Sequence, residues 1–339
     1  VALSPYSKGK VFFGSSGSDA NDTQYKIFTY LNNALNRPNK KKFIARKKAY
    51  HGITLASASM TGLPANHSLF DVPLPGFHHI DTPHFYREAL PDEDEDTFTD
   101  RLAKNLRDLI LEEGEDTFSA MIAEPLIGAG GVIIPPKNYF QKIQAVLSEF
   151  DIALIDDEVI TGFGRTGNCF GLETYGMKPS SITIAKAMTS GYIPLSAVII
   201  PDEIFEPLKN ASNEVGVFGH GYTYSGHPVA CAVAIKTLEI YERDSIFEKV
   251  NQKSPLFQKR LSRLSEFDFV GEARGVGLIG AIELVQNKIT KENFNPYGLT
   301  GKKFAKICQN NGLIIRAIGD VIAVCPPLII SEQQIDEIF

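Results

Sequence analysis

Three short segments carry residues whose types and order suit the binding and activation of a ligand. The first is the turn Gly14–Ser18, where an apolar run ends and a helical pattern begins at Asp19. The first amides of a helix have no partner inside it and point along its positive end. The amides of Gly17 and Ser18 could therefore bind a phosphate. An ordinary helix cap has the same composition, and the turn matches neither glycine motif typical of nucleotide sites.

The second segment places acidic residues at the end of an apolar run. Asp156, Asp157 and Glu158 follow Ile152–Ile155. Ligands of open α/β sheets bind at the carboxyl ends of the strands, and side chains alternate along a strand. If Asp157 faces that crevice, Val159 lies on the same side and Glu158 points away. The alternative is a solvated strand end without a ligand.

The third segment places a lysine at the end of another short apolar run. Lys186 follows Ile182–Ala185 and precedes small residues. Lysine side chains are usually exposed, and their amines are protonated at neutral pH, with an ordinary pKa of about 10.4. Burial or a neighbouring cation can lower such a pKa enough for Schiff-base chemistry. Lys186 is therefore either a reactive amine or a lysine that extends to solvent.

A single ligand could use all three segments. It would need a phosphate for Gly17 and Ser18, a basic ring nitrogen for Asp157 and an aldehyde for Lys186. Pyridoxal 5′-phosphate carries all three groups, so we predict it as the cofactor. The alternative is a phosphate-binding α/β protein unrelated to pyridoxal.

The elements that must position these segments alternate along the chain. Helical patterns cover residues 19–35, 98–111 and 139–150. Between them lie short apolar runs typical of buried parallel strands. Their cores are Val11–Phe13, Phe43–Ala45, Met121–Ala123, Ala153–Ile155, Ile182–Ile184 and Ala197–Ile200. This alternation predicts a doubly wound α/β sheet.

The pattern changes after a helical stretch over residues 228–242. Strands are predicted at 277–285, 313–316 and 321–324, and a helix near 302–309. We therefore predict a large domain over residues 1–243 and a smaller C-terminal α+β domain over residues 244–339.

The composition excludes several classes of protein. Of 339 residues, 43% are hydrophobic and 22% are charged, as in ordinary globular proteins, and the net charge of −6 gives no basic surface for nucleic acid. No apolar run reaches the ~18 residues of a membrane span. The four cysteines lie far apart, which argues against a disulfide scaffold or a thiolate metal site. His51, His220 and His227 are expected to shape loops, and no metal site is predicted.

Eight blocks together resemble one known family, the class III or ω-amino-acid type of pyridoxal-phosphate-dependent aminotransferases, which have fold type I. The resemblance extends over nearly the whole chain, and residues 37–52, 79–87 and 217–234 are most similar to the branch of plant γ-aminobutyrate transaminases and pyruvate-dependent ω-aminotransferases. The eight blocks are residues 15–24, 46–54, 123–136, 155–167, 185–197, 219–232, 273–284 and 314–331.

The resemblance implies a fold and a set of roles around the cofactor ring. Fold type I has a large domain with a mainly parallel seven-stranded sheet flanked by helices, and a smaller C-terminal α+β domain. Lys186 would form the Schiff base and then carry the proton, while Asp157 would keep the ring nitrogen protonated. Val159 and Tyr50 would cover the two ring faces, and Tyr50 would also contact substrate.

Further roles concern the phosphate and the substrate. Gly17 and Ser18 would bind the phosphate, and Thr223 would reach it from a partner subunit. Glu124 would lie near the ring hydroxyl or the substrate, with a purely structural role as the alternative. Arg316 would pair with a substrate carboxylate, as a planar guanidinium does well, or else form a salt bridge between domains.

The resemblance also implies an activity. The enzyme would move an amino group from an ω-amino acid or primary amine, such as γ-aminobutyrate or β-alanine, to a 2-oxo acid such as pyruvate or glyoxylate, by a ping-pong mechanism. The alternatives are an aminomutase, racemase or decarboxylase on the same scaffold, or a truncated non-catalytic relative.

Expectations about assembly and location follow from the same resemblance. It implies a homodimer or a dimer of dimers, in the cytoplasm or in the mitochondrial matrix of a eukaryote. The family also has an N-terminal segment that would precede Val1.

Overall fold

The centre of the fold is a seven-stranded sheet, seen in a computed structural model that describes residues 1–339. Its order is β1-β7-β6-β5-β4-β2-β3, and β7 alone runs against the other strands. The predicted mainly parallel seven-stranded sheet is thus confirmed. The strands are β1 (Gly9–Gly14), β2 (Lys42–Arg46), β3 (Phe77–Ile80), β4 (Phe118–Ala123), β5 (Ala153–Asp157), β6 (Ser181–Ile184) and β7 (Ser196–Pro201).

Helices cover both faces of this sheet. One apolar layer includes Ile27 and Phe28 of α1, and the other includes Phe98 and Leu106 of α4. The helices predicted over residues 19–35, 98–111, 139–150 and 228–242 correspond to α1, α4, α5 and α8. The helices are α1 (Gly17–Ala34), α2 (Leu55–Met60), α3 (Phe85–Glu88), α4 (Glu95–Glu113), α5 (Tyr139–Glu149), α6 (Gly171–Tyr175), α7 (Asp202–Val215) and α8 (Pro228–Arg243), with 3-10 turns at Pro64–Asn66 and Lys186–Thr189.

A second, four-stranded antiparallel sheet lies in the C-terminal part, with its own apolar cluster. Its order is β10-β11-β9-β8. The strands are β8 (Val270–Val276), β9 (Ile279–Leu284), β10 (Arg316–Ile318) and β11 (Val321–Val324), and the helices are α9 (Ile246–Arg263), α10 (Leu299–Asn310) and α11 (Glu332–Ile338), with a 3-10 turn at Leu264–Glu266. The division into domains at Arg243, where α8 ends, stays a prediction.

The start of α1 is fixed by a local hydrogen-bond box. The Ser16 hydroxyl accepts from the Asp19 amide at 3.2 Å, and the Asp19 carboxylate accepts from the amides of Ser15 and Ser16. This capping box starts the helix immediately after β1. It aims the first free amides of α1 at the edge of the sheet where the parallel strands end. None of the helices is both long and apolar enough to cross a membrane.

Candidate active site

Asp157 ends β5 as a buried carboxylate with three partners. Its Oδ2 accepts from the Asn21 side-chain amide at 2.8 Å and lies 2.8 Å from Nδ1 of His51, while its Oδ1 accepts from the Val159 amide at 3.1 Å. Only 3% of Asp157 is exposed, so this is not a solvated strand end. Because a carboxylate can only accept, Nδ1 of His51 donates in this contact.

His51 and Asn21 are site residues that the sequence reasoning missed. His51 was expected only to shape a loop, yet it is buried and holds Asp157. Its chain segment follows β2, which ends at the same sheet edge as β5 because the two strands run parallel through β4. A polar residue just past a parallel strand was the available signal. Asn21 gave a weaker signal, as a polar side chain on the buried face of α1.

The phosphate-binding turn and the end of β5 are in contact. A Cβ added to Gly17 would lie 3.2 and 3.3 Å from the two methyl groups of Val159. The amides of Gly17 and Ser18 occupy the first two helical positions, which have no acceptor inside the helix. The Ser18 hydroxyl accepts from the Ile53 amide at 3.1 Å, so the loop after β2 closes against this turn. Gly52 adopts φ +132°, and a side chain there would collide with Ser18.

Glu124 ends β4 with both carboxylate oxygens on backbone amides. Oε1 accepts from the Tyr50 amide at 3.1 Å and Oε2 from the Gly128 amide at 2.8 Å. Burial raises the pKa of Glu124, while nearby His51 acts to lower it. These contacts hold the half-buried Tyr50 and the loop that follows β4. A direct contact of Glu124 with cofactor or substrate stays a prediction.

Lys186 lies just past the end of β6, the neighbour of β5, where it begins a 3-10 turn. Its φ of +42° lies in the left-handed region, which is strained for a residue with a side chain and is often found at functional sites. The side chain is exposed rather than buried, and it lines a cavity of about 590 Å³.

The cavity lies between the two sheets. Lys186 and Val159 contribute from the large sheet, and Arg316 contributes from β10. Arg316 is exposed and forms no salt bridge, so the alternative of an ion pair between domains is wrong. Arg165 also lines the cavity, but its Nη1 donates to the carbonyls of Leu278 and Pro326, a structural role.

Val159 connects the three short segments that carry the predicted chemistry. Its methyl groups face Gly17, its amide donates to Asp157, and its side chain lines the cavity with Lys186. Thr223 is not part of this arrangement. It is exposed on a turn, and the neighbouring Tyr222 hydroxyl donates to the Asp19 carbonyl of the same chain at 2.9 Å.

Two further acids flank Asp157 on the opposite face of β5, as the alternation along the strand predicts. Glu158 accepts from the Leu172 amide at 2.7 Å and from the Thr161 hydroxyl. Asp156 is fully buried, and neither of its carboxyl oxygens has a hydrogen-bond partner. Burial, and then the neighbouring Glu158, raise the pKa of Asp156 well above its usual range, which favours the neutral form of this carboxyl.

Comparison with known proteins identifies the family. A sequence profile described as "Aminotransferase class-III" matches residues 1–339. The chain belongs to the class III aminotransferases. This confirms the resemblance seen in the eight blocks.

Individual class III aminotransferases agree with this assignment. The chain is 52% identical over 329 residues to "Gamma aminobutyrate transaminase 1, mitochondrial" of Solanum lycopersicum. This match covers 97% of this chain and 64% of that protein. It is 51% identical to "Gamma aminobutyrate transaminase 3, chloroplastic" of the same plant, over 97% of this chain and 63% of that protein. The chain thus spans just under two thirds of the length of these curated relatives.

A solved structure agrees with the fold as well. The ω-transaminase of Pseudomonas jessenii, solved in complex with PMP, superposes with a TM-score of 0.98 at 49% identity. The match covers 100% of this chain and 75% of that one. It confirms the predicted fold type.

Class III aminotransferases depend on pyridoxal 5′-phosphate, and the residues of this chain fit that group. The first amides of α1 lack acceptors inside the helix, as a phosphate requires. Gly17 has no side chain beside Val159, which leaves the backbone open to a ligand. Asp157 ends β5 and Lys186 follows the adjacent parallel strand β6, so the carboxylate and the amine lie at the same sheet edge.

Proposed function

We propose that this chain carries the catalytic core of an ω-aminotransferase. It would move an amino group from an ω-amino acid or primary amine, such as γ-aminobutyrate or β-alanine, to pyruvate or glyoxylate. The single observation that supports this best is that Lys186 and the unpaired Arg316 line one cavity from opposite sheets. Most of the other lining residues are apolar, which suits the short aliphatic chain of an ω-amino acid.

Five residues would hold the cofactor. Gly17 and Ser18 would bind its phosphate through their amides, Asp157 would hold a proton on the ring nitrogen, and Val159 and Tyr50 would cover the ring. When bound, pyridoxal phosphate supplies an aldehyde that accepts the amino group and a ring that stabilises negative charge on the substrate carbon.

Lys186 would move the proton. Its Nζ would take a proton from the amine-bearing carbon of the donor and, in the second half-reaction, return one to the carbon of the 2-oxo acid. A positioned acid–base group contributes about 10²–10⁴-fold to the rate. Donor and acceptor use the same cavity in turn, so ping-pong kinetics are expected.

A donor and acceptor panel tests the proposal and the role of Arg316 together. Pyruvate, glyoxylate and 2-oxoglutarate are offered with γ-aminobutyrate, β-alanine and a primary amine that lacks a carboxylate. Alanine from pyruvate supports transamination, whereas consumption of the amino acid without any acceptor indicates a mutase, racemase or decarboxylase.

In Arg316→Gln we expect KM for γ-aminobutyrate to rise about 10–100-fold, since hydrogen bonds between charged groups contribute about 1.5–3 kcal/mol.

The amine without a carboxylate is the internal control for Arg316→Gln. Its KM is expected to stay at the wild-type value, as is every KM in Arg243→Gln, an arginine at the surface that pairs with Asp244. An equal rise in KM for both kinds of amine would show that Arg316 does not read a carboxylate.

The active form would be a homodimer, alone or paired into a dimer of dimers. Ile53 and Leu55, beside the phosphate-binding turn, are 68% and 67% exposed, and such apolar surface next to a site is typical of an interface.

Thr223 would reach the partner's phosphate site. We expect Thr223→Ala to weaken cofactor retention while sedimentation velocity still gives a dimer. An active monomer in sedimentation would contradict this assembly.

The mitochondrial matrix is the compartment we propose for a eukaryotic source. Support comes from the plant relatives, most of whose names include mitochondrial. Fractionation of cells that express the full-length protein tests this, and recovery in the cytosol would contradict it.

A further inference from the structure

One block of the family resemblance, residues 273–284, contributes Ile279 to the cavity lining and the Leu278 carbonyl to Arg165, and it also contains a buried arginine that contacts the cavity wall. Arg274 lies on β8 of the second sheet and is only 8% exposed. Its Nη2 donates to the Gly131 carbonyl at 2.7 Å and its Nε to the Val132 carbonyl at 2.9 Å. One side chain thus binds two consecutive carbonyls across the boundary between the sheets.

The backbone that Arg274 holds is strained. Val132 has φ +51°, a conformation that β-branched residues rarely adopt, and Gly131 has φ +125°. Such conformations persist only where surrounding contacts fix them. A side chain at Gly130 would collide with the Lys48 carbonyl, so the loop is also pressed against the segment that leads to Tyr50.

This strained loop forms one wall of the substrate cavity. Gly128, Ala129 and Val132 line the cavity, and the Gly128 amide donates to Glu124. A shift of the loop would therefore change both the shape of the cavity and the contact of Glu124, which also holds Tyr50. Arg274 itself does not line the cavity.

The charge of Arg274 is balanced by its own sheet. Its Nη1 donates to Glu283 at 2.9 Å and to Glu272, Arg87 pairs with Glu283, and His84 lies 2.9 Å from Glu272. Two guanidinium groups thus match two carboxylates, which leaves no excess negative charge for a metal ion at this cluster. The planar guanidinium is needed because a lysine ammonium cannot reach both carbonyls and both carboxylates at once.

We propose that Arg274 is a positioning residue for substrate binding, which fixes the wall 128–132 by holding its strained backbone from the second sheet. The effect on substrate rests on the proposed function, whereas the effect on the loop does not. Arg274 touches none of the five residues that would hold the cofactor and is connected to one of them, Tyr50, only through Gly128 and Glu124, so we expect cofactor binding to change much less than KM.

The test compares Arg274→Lys with Arg260→Lys in the full-length holoenzyme. The control makes the same change at a half-buried arginine on the surface that pairs with Asp336. In Arg274→Lys we expect KM for the donor to rise roughly tenfold or more, as small misplacements of a binding wall commonly cause. We expect kcat and the absorbance of the bound cofactor to stay near wild type, and amide hydrogen exchange in residues 128–132 to accelerate.

The outcomes separate positioning from a general structural role. Wild-type KM and wild-type exchange in Arg274→Lys would overturn the proposal. A rise in KM with parallel losses of kcat, cofactor binding and melting temperature would overturn it as well.

If Arg274→Lys does not fold, Glu272→Gln is the second variant, because it loosens the guanidinium without removing it. A smaller KM rise with faster exchange in 128–132 is then expected. If the wild-type chain has no transaminase activity, the proposed function fails, and the exchange experiment still tests the loop.

Discussion

Lys186→Ala is expected to lower kcat for amine-to-pyruvate transfer by at least about 10²–10⁴-fold, the usual contribution of a positioned acid–base group. The exposed Lys186 side chain lines the cavity with Val159 and Arg316, so its loss removes the amine nearest the proposed substrate position. Cofactor is expected to stay bound without a covalent link, through the first amides of α1 and Asp157. Alanine formation and cofactor retention after dialysis measure the two effects.

Two controls make this experiment specific. Lys104→Ala removes a surface lysine paired with Asp108 and is expected to leave turnover unchanged. Borohydride reduction followed by peptide mapping should attach cofactor to residue 186 in the wild type and to no residue in Lys186→Ala. Wild-type turnover in Lys186→Ala would refute the assignment of this lysine.

Most of the central sheet could be predicted because five of its strands, β2 and β4 to β7, are buried on both faces. Six of its seven strands were predicted from short apolar runs, and their cores lie inside β1, β2, β4, β5, β6 and β7. The seventh, β3, has the sequence Phe-His-His-Ile at the sheet edge, where three of its four residues are only half-buried and two histidines interrupt the apolar pattern. The predicted strand 313–316 begins only at Arg316, after a turn at Gly312 with φ +88°.

The candidate site could be predicted only where a local pattern carried it. Alternation along β5 correctly puts Val159 on the side of Asp157 and Glu158 on the other. The exposure of Lys186 could not be deduced, because it depends on a cavity between two sheets. His51 and Arg274 act through partners 106 and 142 residues away in the chain, and no local spacing encodes such contacts.

Asp157→Asn is expected to lower kcat by about 10²–10³-fold, the usual cost of removing one pre-organised group that stabilises developing charge. The change keeps the size of the side chain but removes the negative charge that would hold a proton on the ring nitrogen. It also deprives His51 of its charged acceptor. We expect the fold to persist, because the amide oxygen can still accept from the Val159 amide or from Asn21. Stopped-flow measurement of the first half-reaction with β-alanine isolates the effect.

Asp156→Asn is the matched control, one residue away on the same strand. Asp156 is fully buried and points to the other face of the strand, and burial raises the pKa of its carboxyl well above its usual range. A neutral asparagine amide of the same size resembles the form that burial favours, so we expect kcat to stay near wild type. An equal loss of kcat in both variants would show that the negative charge of the site is shared along the strand. A wild-type kcat in Asp157→Asn would show that this carboxylate does not support the reaction at all.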